Sequence, residues 1–193
     1  MIDYIKGNIT QVTPTFVTVE TSGVGYFINI SLTTFSKLEN KGEIKILIHE
    51  IIREDTHQLY GFADTHEREI FRHLISVTGV GANTSRMMLS SLNPSEIEQA
   101  IIGSDVNILK SVKGIGLKTA QRIIVDLKEK LGKHAGSGEI FAFADNTKRE
   151  EALSALVMLG FAKSVVLRIL DKIVREEKIL TVEDMIKRAL KNL

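Results

Sequence analysis

No cysteine occurs in the 193 residues, which excludes disulfides, thiolate catalysis and cysteine-ligated zinc. No apolar run is long enough to span a bilayer, and Met1 is followed by Ile2 and Asp3 rather than by a basic and apolar leader, so neither insertion nor secretion is expected. The sequence lacks a G-x-x-x-x-G-K-[ST] phosphate loop and any carboxylate cluster of the kind a nuclease or two-metal site requires. Catalysis, ATP hydrolysis, a cofactor and a metal are therefore not expected of the chain itself. Charge of one sign is missing too, since 25 Lys and Arg against 24 Asp and Glu leave a net +1. With 44% hydrophobic and 25% charged residues, the composition is that of a soluble, cytoplasmic globular protein of one to three small domains.

What is present is a repeat. Segment 77–85 reads VTGVGANTS and segment 112–120 reads VKGIGLKTA, so Gly79, Val80 and Gly81 correspond to Gly114, Ile115 and Gly116 at a constant offset of 35. Helical periodicity flanks both: Ile70, Phe71, Leu74 and Ile75 precede the first, and Ile123, Ile124, Leu127 and Leu131 follow the second. A single G-x-G marks no more than a turn. Two copies with matching flanks and a shared hydroxyl (Thr84, Thr119) point to a paired helix-hairpin-helix over 65–131. The glycines permit positive φ and close approach of a phosphate, and the apolar residue between them pins the turn to the core. The following helix then directs free N–H groups and its positive dipole end at the phosphate, a grip on backbone that ignores base sequence. Candidate DNA-binding residues are Gly79, Val80, Gly81, Ala82, Asn83, Thr84 and Arg86 in the first hairpin, and Gly114, Ile115, Gly116, Leu117, Lys118, Thr119 and Arg122 in the second.

Dividing the charge along the chain supports this placement. Residues 1–64 hold five basic and eight acidic residues (−3), residues 65–133 ten and seven (+3), and residues 134–193 ten and nine (+1). The basic excess falls on the hairpins but is modest, so helix N-termini have to supply much of the attraction, and oligomerisation would multiply it.

The first 64 residues show the two-residue period of strands. Tyr26, Ile28 and Ile30 alternate with Phe27, Asn29 and Ser31, and Ile44, Ile46 and Ile48 with Lys45, Leu47 and His49. Five strands, a tight turn at Gly23-Val24-Gly25 and a short helix over 32–38 predict an OB-type Greek-key barrel. Between its last two strands lies Arg53-Glu54-Asp55-Thr56-His57. Adjacent acids at a hairpin tip are ordinarily a solvated turn. In a DNA-binding chain they are also a device that repels phosphate and excludes the wrong DNA. A metal site there is not expected, because no companion carboxylate or histidine cluster lies at ligand spacing.

Segment 132–147, GKHAGSGEIFAFADNT, lacks period and reads as a flexible linker, with Phe141 and Phe143 as its apolar residues. Residues 148–193 read as three short helices. Gly160 ends an apolar stripe from Ala152 to Leu159, a second stripe runs from Val165 to Ile173, and Thr181 opens the last helix in near capping-box form.

The barrel opening MIDYIKGNI, the hairpin REDTHQLYGF at 53–62, the paired VTGVGANTS and VKGIGLKTA and the small helical tail, in that order over the whole chain, resemble the RuvA family. Its members are the Holliday junction-binding subunits of the bacterial RuvAB branch migration complex. The resemblance implies a multi-domain α+β chain, with an OB-type barrel, a tandem helix-hairpin-helix domain and a C-terminal three-helix (UBA-like) bundle. It implies that Glu54 and Asp55 form an acidic pin, with eight carboxylates at the crossover when four subunits meet. It also implies four-way junction binding as a homotetramer, or as two facing tetramers, in recombination, repair and the SOS response. The hexameric ATPase RuvB is the implied motor, docked on the C-terminal domain with Leu167, Leu170 and Ile173 as candidate contacts, and the RuvC resolvase belongs to the implied larger complex. One departure is that many members carry Pro-Lys after the first Gly-x-Gly, where this chain has Ala82-Asn83. The second hairpin is therefore expected to dominate the electrostatic share, with Arg86 a partial substitute in the first.

Two other classes fit parts of the pattern. A helix-hairpin-helix glycosylase would place a catalytic Asp near Asp126 and flip a base. A single-strand-binding OB protein would expose aromatics from the set Tyr4, Phe16, Tyr26, Phe27, Phe35, Tyr60 and Phe62.

Overall fold

The computed structural model describes residues 1–38, 42–135, 143–176 and 181–192. The first strands follow the two-residue period: β1 (Tyr4–Val12), β2 (Phe16–Thr21) and β3 (Val24–Ile30). Helix α1 (Leu32–Leu38) precedes β4 (Glu43–Ile52) and β5 (His57–Phe62). They close into a barrel in the order β1-β2-β3-β5-β4, antiparallel throughout except for β3 against β5, which are parallel. Ile5, Val17, Val19, Ile28, Ile30, Ile44, Ile46, Ile48 and Leu59 point inward and form its core. The turn between β2 and β3 falls one residue earlier than expected. Ser22 (φ 50°) and Gly23 (φ 81°) make it, and pairing resumes at once with Thr21 opposite Val24. Two consecutive positive φ values match the right-handed twist of the flanking strands, so Val24 and Gly25 are left free to join β3.

Five helices follow in the same compact unit, which spans Met1–His134. They are α2 (Thr65–Ile75), α3 (Ala82–Ser91), α4 (Pro94–Ile102), α5 (Val106–Lys110) and α6 (Leu117–Ala135). Side-chain caps set three of their starts: Asp64 accepts from the Glu67 N–H, Asn93 and Glu96 form a reciprocal capping box, and Asp105 accepts from the Asn107 and Ile108 N–H groups. Their shared core includes Phe71, Leu74, Val77, Met88, Leu89, Ile97, Leu109, Ile123 and Leu127, and it extends to Tyr60 and Phe62 of β5. Those two rings lie 5.2 and 4.9 Å from that of Phe71. Strand β5 therefore belongs to both cores.

Glu67 makes a second connection. Fully buried in the first turn of α2, its carboxylate accepts the hydroxyls of Ser31 and of Thr34, the latter at 2.7 Å. Burial pushes its carboxyl above the ordinary carboxylate range, against the two hydroxyl hydrogen bonds.

The second unit spans Ala135–Leu193 and contains α7 (Phe143–Met158), α8 (Lys163–Glu176) and α9 (Val182–Leu190). Ala152, Leu156, Val166, Leu170, Ile173, Met185 and Ala189 form its core. Gly160 follows α7 at φ 98°, and Thr181 caps α9 by accepting the Asp184 N–H at 3.1 Å. The linker expected over 132–147 falls in part on residues 136–142, Phe141 among them, which lie outside the described residues. Its flanks are helical, because α6 continues to Ala135 and α7 begins at Phe143. Among the described residues no helix is long and apolar enough to cross a membrane.

Candidate nucleic-acid interface

The two hairpins have the same backbone. Gly79 and Gly114 adopt φ 89° and 92°. In the first, the Val77 N–H donates to the Leu74 carbonyl, the Val80 N–H to Val77 and the Ser85 N–H to Gly81. In the second, Val112 donates to Leu109, Ile115 to Val112 and Ala120 to Gly116, each 35 positions on. Val80 and Ile115 are buried and anchor the turns, while the four glycines are exposed. A Cβ on Gly79, Gly81, Gly114 or Gly116 would meet nothing within 4 Å. The positive φ of Gly79 and Gly114 explains glycine there. At Gly81, with φ −89°, neither backbone strain nor packing requires glycine, so what its missing side chain preserves is access from outside.

Helix α3 differs from the capped helices around it. Its N-cap, Gly81, supplies no side-chain hydrogen bond, leaving the first N–H groups directed at solvent, where an anion is stabilised by the helix dipole. Gly116 likewise brings no side chain to the start of α6. Around the second hairpin Lys118 and Arg122 are exposed, Thr119 is half-buried and Leu117 is exposed. Arg122 reaches Asp126 only at 4.0 Å, between exposed groups, a pair too weak to hold the guanidinium from a phosphate. Asp126 is exposed beside it.

The first hairpin is tied to the barrel instead. The Arg86 guanidinium donates to the Thr15 carbonyl at 2.9 Å and to Asn29 Oδ1 at 3.2 Å. It is thus a brace between α3 and the barrel rather than the unengaged cation expected in place of the missing lysine. Asn83 is exposed, with Oδ1 3.4 Å from the Tyr60 hydroxyl, which donates to Gln58 Oε1 at 2.8 Å. Burial raises the Tyr60 phenol above its ordinary range, opposed by the fields of Arg86 and Arg53.

Glu54 and Asp55 occupy the tip of the β4–β5 hairpin, both exposed, where the Arg53 N–H donates to the Thr56 carbonyl at 2.8 Å. The base of this hairpin is braced by a residue that the sequence did not single out. Glu50 lies 2.7 Å from His57 Nε2 and accepts the Ile2 N–H at 3.2 Å. The His57 hydrogen bond, ahead of the Ile2 N–H and the N-terminal ammonium, holds the Glu50 carboxyl below its ordinary value against the effect of burial. Among the described residues no group of three or more His, Asp or Glu is placed to hold a metal.

In the C-terminal unit, Leu170 and Ile173 are core residues and Leu167 is only partly exposed. Their expected role as a contact face does not fit that burial, because i, i+3 spacing reads the same for a helix turned inward or outward. Among the described residues of this unit the two most exposed large apolar side chains, Met158 (86% exposed) and Leu159 (62%), lie where α7 meets α8 with Val165 close by, and Leu190 of α9 is exposed as well.

An OB-type barrel fused to a tandem helix-hairpin-helix, with an acidic hairpin on the same unit, defines a class of DNA-binding proteins. Comparison with known proteins narrows it. The RuvA N-terminal domain matches residues 1–61, the SAM-like helix-hairpin-helix tandem 71–129 and the RuvA C-terminal domain 147–193. The chain is 51% identical over its full length to a Christiangramia forsetii protein, all of which is covered, and 48% identical, again full length on both sides, to one from Flavobacterium psychrophilum. A Bacteroides thetaiotaomicron protein is 47% identical with both chains wholly covered. All three bear the name Holliday junction branch migration complex subunit RuvA. The chain belongs to the RuvA family.

Proposed function

We propose that the chain binds four-way junction DNA without regard to sequence and serves as the non-catalytic subunit of a branch migration complex. Four copies hold the junction open around their acidic tips, as one tetramer or as two that face each other. A RuvB-type hexameric ATPase supplies the hydrolysis, RuvC-type resolvase acts in the larger assembly, and the setting is the cytoplasm. The observation that carries this reading is the pair of superimposable hairpins, whose exposed glycines and uncapped helix start form two equivalent phosphate grips on a unit that also carries Glu54 and Asp55. Two grips of one geometry suit the two strands of a duplex arm. The tip carboxylates repel phosphate, so they favour DNA whose strands diverge over DNA that runs straight across them.

Within this reading the hairpin residues named above hold the arms, and the second hairpin, with Lys118 and Arg122 unencumbered, carries more of the charge. The 65–131 segment is the DNA-binding domain on the 1–64 barrel, 132–147 the tether and 148–193 the motor-binding domain. The α7–α8 corner with Met158, Leu159 and Val165 is the motor-facing surface.

A gel-shift competition at about 0.1 M salt tests the reading, since screening over roughly 10 Å suppresses loose attraction. A synthetic four-way junction is set against linear duplex of the same total sequence. Junction preference, in a complex with the mass of four or eight subunits, is the expected result. Equal affinity would reduce the paired hairpins to a generic duplex clamp and overturn the proposal.

A further inference from the structure

Strand β3 turns Ile28 and Ile30 into the barrel and Phe27 and Asn29 outward. Phe27 is 55% exposed, and its ring is stacked on that of Phe16 with centroids 4.6 Å apart and planes at 28°. A phenylalanine on the outer face of a barrel is ordinarily covered or replaced by a polar residue; here one ring is supported on one side by Phe16 and is 55% exposed. Its position is set by register. Ile28 pairs with Leu59 and Asn29 with Tyr60 in the parallel ladder, so Phe27 stands just before its first pair, toward the start of β5. Strand β5 begins at His57, two residues after Asp55 of the tip. On the other side Asn29 accepts Arg86 at 3.2 Å, and Asn83 of the first hairpin lies 3.4 Å from the hydroxyl of Tyr60, the partner of Asn29. The stacked pair thus lies between the acidic tip and the first phosphate grip.

We propose that Phe27, backed by Phe16, is a stacking platform for an unpaired base at the junction crossover. The inference rests on the junction-binding reading above and adds a ligand group to it. The charges around the platform favour a base over a phosphate. Glu54 and Asp55 at the tip, and Glu20 two residues beyond Thr18 on the same outer face of β2, repel phosphate but not a neutral ring. Arg53, exposed beside the tip acids, attracts the backbone that carries the base. Stacking on an aromatic ring tolerates any base, as strand exchange through arbitrary sequence requires. A base leaving one duplex and entering another passes through an unstacked state, and a ring placed there returns part of the stacking it loses.

The test uses the full chain and a junction carrying 5-iodouracil at the crossover, with a second junction labelled only in its arms. Irradiation should join Phe27 to the crossover base and not to the arm base, with the site read by mass spectrometry. In parallel, Phe27→Thr, which keeps a strand-favouring side chain, should lose about 5- to 100-fold affinity for a junction with mismatched crossover bases. Its affinity for linear duplex and its assembled mass should be unchanged, and Phe27→Trp should restore or exceed wild-type binding. No cross-link at Phe27 together with equal affinity of Phe27→Thr for the mismatched junction would overturn the platform while leaving junction preference intact. A change of assembled mass in Phe27→Thr would overturn it too, by placing the ring against a second copy of the chain. Loss of junction preference by the wild-type protein would strike the underlying function instead.

Discussion

At the scale of single residues, the four hairpin glycines separate folding from binding. Gly79 and Gly114 hold φ near 90°, so Gly79→Ala or Gly114→Ala should destabilise the chain by about 1–3 kcal/mol, visible as a lower denaturation midpoint. Gly81→Ala faces neither positive φ nor a neighbour within 4 Å. It should melt like wild type yet bind DNA more weakly, because the methyl group stands where the phosphate oxygen has to come. If Gly81→Ala binds as well as wild type, the backbone grip at the first hairpin is refuted. Glu67 gives a prediction in pH. Its folded carboxyl titrates above the unfolded one, so the folded state holds the extra proton. The resulting stability is complete below the ordinary carboxylate range and is lost as pH rises through the raised value. Glu67→Gln keeps an acceptor for Ser31 or Thr34 without the charge. Its melting temperature should therefore vary less between pH 4 and 8 and exceed that of wild type at the upper end, where about 1 kcal/mol corresponds to roughly 2–4 °C for a chain of this size.

At the scale of elements, the hairpins look equivalent in backbone and unequal in charge. Lys118→Ala should reduce the slope of log affinity against log salt by about 0.9 for the one phosphate it contacts. Asn83→Ala should leave that slope unchanged, and Asn83→Lys should steepen it by about the same amount. Arg86→Ala should instead act on stability, because its guanidinium spans Thr15 and Asn29; about 1–2 kcal/mol lost on denaturation, with little change in salt slope, is the expected pattern. Much of this architecture was legible in the sequence. The strand period placed β3 and β4, β-rich composition pointed to β1 and β2, the repeated Gly-x-Gly placed both hairpins, and Thr181 and Gly160 marked the helix ends beside them. What was illegible depends on distant partners. Glu67, three residues after a capping Asp64, looks like any first-turn acid on a surface helix, and only the fold brings Ser31 and Thr34 to it. Arg86 and Glu50 were hidden in the same way, by partners 57 and 48 positions away. Leu170 and Ile173 were legible as an apolar stripe but not as core or interface, because periodicity alone does not separate the two, and in so small a unit the core took them.

At the scale of the whole molecule, the tip acids matter through their number. If four copies meet at one crossover, Glu54→Gln with Asp55→Asn removes eight like charges at once. That variant should bind junction and duplex more tightly, discriminate less between them and alter branch migration, as gel-shift competition and a strand-exchange assay would register; unchanged affinity and migration would remove the pin from the mechanism. Such a gathering brings β-rich units into close quarters at high local concentration, a situation in which sheets commonly grow by pairing backbone to backbone. Closure of the barrel works against this. Because β3 pairs with β5 and β1 with β4, each described strand has a neighbour on both sides over at least part of its length, which leaves only short stretches of unpaired N–H and C=O groups as a template. Contacts between copies of this chain are therefore left mainly to side chains, and crowding around DNA offers little edge for sheets to grow from.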